Sequence, residues 1–135
     1  MPRREHVEVL LHKAAQDLET LDLLMQHETA ASEAIGFHAQ QAAEKLLKAA
    51  IKATGADYPY THAIGHLLAI LQRVGADVPG PLQEVERLTP FAAHLRYEAL
   101  GEGDVVDFDW VTVRQLIQDL REWVGALLET VNWGE

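Results

Sequence analysis

No cysteine occurs among the 135 residues, which excludes a disulfide framework and any thiolate metal site and is compatible with a reducing compartment. Serine is almost missing as well: Ser32 is the only one, and no elbow glycines surround it, which argues against a serine nucleophile. The glycine loop that cradles phosphates is absent. No apolar run approaches the ~18 residues of a membrane span, and the first residues, Met1-Pro2-Arg3-Arg4-Glu5-His6, lack the apolar core of a signal peptide. The expected compartment is therefore the cytoplasm, with no membrane contact. Positive charge is scarce too: 11 basic residues face 21 acidic ones, for a formal net charge of −10. A sequence-independent nucleic-acid binder is usually basic, because it must neutralise phosphates.

What is present is a globular composition, 48% hydrophobic and 24% charged, in a length normal for one domain spanning residues 1–135. The periodicity is helical throughout, and no segment shows the alternation of a strand or the period of a solenoid. The spacing predicts a first helix over about residues 4–26, seamed by Val7, Leu11, Ala14, Leu18, Leu21 and Met25. A short link leads to a central helix over about residues 32–54, whose face Ile35, Ala39, Ala42, Leu46, Ala49 and Ala53 is half alanine, so neighbouring helices approach closely. Gly55 is its expected stop, and Pro59 holds the next stretch in a loop.

Thr61 is the expected N-cap of a third helix, about residues 62–74, that buries Ile64, Leu67, Leu68, Leu71 and Val74. Gly75 should end it. A fourth, about residues 82–89, should be kinked or interrupted at Pro90 and resume over 91–97. Asp109 should cap the last, about residues 110–131, where Trp110, Val113, Ile117, Leu120, Val124, Leu127 and Val131 recur at three and four. The fold class is all-α: an antiparallel, up-and-down bundle of four main helices plus a short broken one.

Beside the buried seam of the central helix runs a second row, His38, Gln41, Lys45, Lys48 and Lys52. Two readings stand. In one, lysines near a helix C-terminus complement the macrodipole, Glu44 supports Lys48 at i,i+4, and lysine stems cover apolar surface. In the other, the row is an accessible site for a phosphate or an acidic partner, with His38 and Gln41 at its inner end.

The run His38-Ala39-Gln40-Gln41-Ala42-Ala43-Glu44-Lys45-Leu46-Leu47-Lys48-Ala49, followed by Thr61-His62 and by Arg96-Tyr97-Glu98, resembles the small prokaryotic form of the HEPN domain (higher eukaryotes and prokaryotes nucleotide-binding). That family carries a helix close to HxQQAAEKxLKA, a TH opening the next helix and a later RYP. Here Glu98 stands in place of the proline. The resemblance spans nearly the whole chain. It implies an all-α bundle that commonly dimerises, and a frequent partner, a minimal nucleotidyltransferase, in toxin–antitoxin-like pairs. It also implies a nucleotide- or RNA-directed role. The ligand-binding set is then His38, Gln41, Lys45 and Lys48, with Tyr97 from the third motif, and no metal or cofactor is called for.

Some HEPN domains are metal-independent RNases marked by an arginine and a histidine with four to six residues between them. Histidine would move the proton of the ribose 2′-hydroxyl while arginine stabilises the phosphorane charge. Arg96 aligns best with the family arginine, but Gly101, Glu102 and Gly103 stand where the histidine belongs. Arg87, with six residues between it and His94, meets the spacing but lies upstream of the motif's place. Arg87, His94 and Arg96 are therefore the catalytic candidates, and the missing downstream histidine tilts the reading toward a non-catalytic partner protein.

Other patterns are weaker. His62 and His66 at i,i+4 would share a helix face and suit a metal, but a helix-start histidine and a half-buried one explain them as well. Glu98, Glu102, Asp104, Asp107 and Asp109 read as a solvated acidic loop, since nothing fixes the geometry of a carboxylate metal site. Trp110 and Trp123 belong to the core or to a dimer contact, and Trp133 to a frayed tail.

Overall fold

The structure, a computed structural model, describes residues 1–93 and 108–134. Four α-helices and one 3-10 helix make up the described chain: α1 Arg3–Met25, α2 Ser32–Ala53, α3 Ile64–Arg73, the 3-10 helix Gly80–Ala93 and α4 Trp110–Glu129. Among the described residues there is no strand.

α2 is the hub, packing against every other element. Its alanines explain why: Ala39, Ala42, Ala43, Ala49, Ala50 and Ala53 are all buried, together with Leu46, Leu47 and Ile51. Short side chains on several faces let neighbours surround one cylinder. α1 runs antiparallel to it, since Val7 and Leu10 pack with Ala49 and Ala53 while Asp17 meets Lys45 and His38. α4 also opposes α1: Arg114 holds Asp22 through two hydrogen bonds of 2.7 and 3.2 Å, and Leu128 packs beside Val7 and Leu10.

Local signals act where expected at several termini. Asp109 caps α4, its carboxylate accepting from the backbone of Val111 and Thr112 and from the Thr112 hydroxyl. Those bonds, the hydroxyl of Thr112 first, hold its carboxyl below the usual aspartate value. Gly75 ends α3 at φ 82°, with the following N–H of Ala76 reaching back to the Leu71 carbonyl; a left-handed residue here favours glycine.

Val74, expected on the buried side of α3, is exposed and lies past its end, and three further expectations need correction. α3 begins at Ile64 rather than His62, and Thr61 is not its cap: Thr61 Oγ1 accepts from Ala63 N–H, and Thr89 of the 3-10 helix accepts from Ile64 N–H. The stretch around Pro90 is not an α-helix broken at the proline but one 3-10 helix that continues to Ala93. The reason lies in the spacing of Val85, Leu88 and Phe91, all buried; with three residues per turn they stack on one face. Trp133 is not frayed. It packs beside the cluster of Val7, Leu10, Ala49 and Ala53, under the guanidiniums of Arg3 and Arg4 at 5.1 and 5.7 Å, and Arg3 also donates to the Asn132 carbonyl.

Candidate functional site

The polar row of α2 divides in two. On one side, Asp17 of α1 accepts from both His38 Nδ1, at 3.1 Å, and Lys45 Nζ. On the other, successive polar residues of α2 meet the loop that leads back to α3. Gln40 Nε2 donates to the His62 carbonyl, and Glu44 Oε1 lies 2.8 Å from His62 Nδ1. Lys48 Nζ sits 5.2 Å over the Tyr58 ring, and Lys52 Nζ is 2.7 Å from Asp57 Oδ1. The partners descend, 62, 58, 57, as the α2 residues rise, so the loop runs back along the helix and is fastened at each step. His6 of α1 closes the far end with a 2.8 Å hydrogen bond to the Tyr58 hydroxyl.

The middle of this seam is buried: Gln40 is 0%, Glu44 4% and Lys48 9% exposed. Buried charge is tolerated only when paired and hydrogen-bonded. Glu44 meets that condition, accepting from Gln40 at 2.9 Å, Lys48 at 2.9 Å and His62. Gln41 in turn donates to Gln40 Oε1. Burial pushes the Glu44 carboxyl up, but the hydrogen bonds from Lys48, Gln40 and His62 outweigh it and hold the group below the usual glutamate value. Glu44 is thus an ionised acceptor. It requires the proton of a neutral His62 to sit on Nδ1, which leaves Nε2 as an acceptor on a side chain that is 49% exposed.

A family model for the HEPN domain matches residues 7–131. The chain belongs to the HEPN family. Among curated proteins and among solved structures, nothing matches it. The all-helical architecture around α2 agrees with the membership.

In this HEPN domain the family-like motif of α2 supplies both halves of the seam. Of the ligand-binding candidates, Lys45 and His38 share Asp17, Lys48 is held by Glu44, and Gln41 feeds the Gln40–Glu44 chain; Tyr97 lies outside the described residues. Among the catalytic candidates Arg87 is exposed, with its guanidinium 5.0 Å over the Phe108 ring. Phe108 stacks on Trp110, and both meet Phe91 edge-on. His94 and Arg96 lie outside the described residues, as do Glu98, Glu102, Asp104 and Asp107. His62 precedes α3, so it does not share a helix face with His66, which removes the basis for that pair as metal ligands. A groove of about 490 Å³ between α3 and the 3-10 helix contains none of the candidates.

The Glu44–Lys48 pair expected at i,i+4 is present, but sequence reading missed Gln40 and Asp17 as organisers of the row, and Tyr58 and His62 as its partners. The family-like motif contained a signal: Gln40, Glu44 and Lys48 recur at i,i+4, which aligns polar groups along one line of a helix. Nothing in that spacing says what lies opposite.

Proposed function

We propose that this HEPN-family chain is a non-catalytic binding partner of a minimal nucleotidyltransferase in a toxin–antitoxin-like pair, acting as a cytoplasmic homodimer. The observation that carries the reading is the pairing of every lysine in α2 with a carboxylate of the same chain: Lys45 with Asp17, Lys48 with Glu44, Lys52 with Asp57. A phosphate arriving at this row must displace an existing partner, which weakens any polyanion site there. With a net charge of −10, long-range attraction favours a basic protein surface over RNA. No helix among the described residues is long and apolar enough to cross a membrane.

Co-expression with the protein encoded beside it, followed by capture on a tag, tests the proposal. A complex stable at micromolar concentration supports it; no complex at that concentration rejects it. Arg87, an exposed residue whose guanidinium lies over the Phe108 ring, favours a second reading, a metal-independent RNase using Arg87 or Arg96 with His94. RNA incubated in EDTA with wild type and with His94→Ala separates the two: cleavage by wild type alone establishes the RNase, and none by either removes it.

A further inference from the structure

Tyr60 is 95% exposed. A tyrosine ring left in water at that degree is unusual for so large an apolar surface. Its setting is rigid rather than loose. Pro59 restricts the backbone before it, and the loop is fastened on both sides, by Asp57 and Tyr58 on Lys52 and Lys48, and by His62 on Glu44 and Gln40. Beside it stands the half-exposed His62, ring centroids 5.7 Å apart and edge to face at 66°. A ring held in place before binding loses little freedom on complex formation, which is what makes an anchor effective.

We propose that Tyr60 and His62 form a receptor for an arginine side chain of a basic partner protein; this rests on the partner reading above. The chemistry is complementary. A guanidinium is flat, stacks on an aromatic face and carries N–H donors in a rigid fork. Tyr60 offers the face, and His62 in its neutral form, with Nδ1 engaged 2.8 Å from Glu44 Oε1, offers Nε2 as the acceptor. An ammonium fits less well, because it has no plane to stack. An anion fits poorly, because the lysines behind the loop are already paired with Glu44 and Asp57 and the chain carries a charge of −10. Two buried charges and a buried amide are arranged around one surface histidine, whereas an apolar seam would have closed the bundle equally well. That arrangement positions His62.

The test uses the full chain and N-acetyl-arginine amide, followed by NMR at the Tyr60 and His62 ring signals, with N-acetyl-lysine amide and a short oligouridylate as comparisons. Saturable shifts with the arginine probe, at least fivefold weaker with lysine, lost in Tyr60→Leu and retained in Tyr60→Phe, are the expected result. Equal response to lysine, response to the oligouridylate instead, or an unchanged response in Tyr60→Leu overturns the receptor. In the captured complex, Tyr60→Leu should weaken affinity at least tenfold. Undiminished affinity overturns the receptor and leaves the partner reading standing; arginine binding without any complex does the reverse.

Discussion

Glu44 Oε1 and His62 Nδ1 lie 2.8 Å apart, so a carboxylate from the middle of the central helix fixes both the position and the tautomer of a residue just ahead of α3. This contact explains why α3 starts two residues later than its cap signal suggests. With its ring on Glu44 and its carbonyl on Gln40, His62 is held out of the helix, and Thr89 meets the first free N–H instead.

Removing one charge of the buried pair should be worse than removing both. Glu44→Ala leaves Lys48 buried without its carboxylate, and urea unfolding should show a loss of about 3 kcal/mol, the low end for a broken buried pair, because Lys48 keeps the Tyr58 ring. The double variant Glu44→Leu, Lys48→Met should recover to within about 1 kcal/mol of wild type. A double variant as unstable as the single one would contradict the account.

Acid should unfold the domain partly through Glu44. Its folded-state pKa lies below the ordinary value of 4.5, so the unfolded state binds more protons and stability falls as pH falls. The contribution is fully present above pH 4.5 and is lost as pH drops through the folded-state value. Asp57 and Asp109, held low by the hydrogen bond from Lys52 and by those from Thr112, act in the same direction. Unfolding midpoints of wild type and Glu44→Gln, measured between neutrality and strong acid, should converge as pH falls; parallel curves would show that Glu44 does not contribute.

Gly36→Ala should destabilise the domain although alanine is the better helix former. A Cβ at Gly36 would lie 2.2 Å from Phe91 Cδ1, and overpacking of this kind costs about 1–3 kcal/mol against a propensity gain of about 1 kcal/mol. A net loss of up to about 2 kcal/mol should appear, with a changed near-UV dichroism from the Phe91, Phe108 and Trp110 group. A variant more stable than wild type would refute the close approach.

Trp133→Ala should lower stability by about 1–2 kcal/mol, because the ring covers the Val7 and Leu10 end of α1 and supports Arg3 and Arg4. Amide exchange at residues 3–7 should speed up in the same variant. Unchanged exchange would restore the frayed-tail expectation.

How much was legible follows from how far each cause reaches along the chain. The seams of α1, α2 and α4, the Asp109 cap and the Gly75 stop depend on neighbours within a turn or two, and the structure has them where the residues suggest. The course around Pro90 was not legible, because residues three apart suit both an α-helical and a 3-10 face until Val85, Leu88 and Phe91 are packed. The HEPN kinship was legible from the α2 motif, since it resides in residue order.

Sequence alone therefore determined that this is a helical domain built around an alanine-rich rod with a polar row beside its apolar face. Only the tertiary structure decided what that row does. Asp17 stands 28 residues from Lys45, His62 is 18 from Glu44, and Asn132 is 129 from Arg3. Periodicity reports which side of a helix a residue occupies, and the i,i+4 spacing already joins Lys48 to Glu44, but whether Lys45 faces water or a carboxylate depends on what another segment brings opposite it.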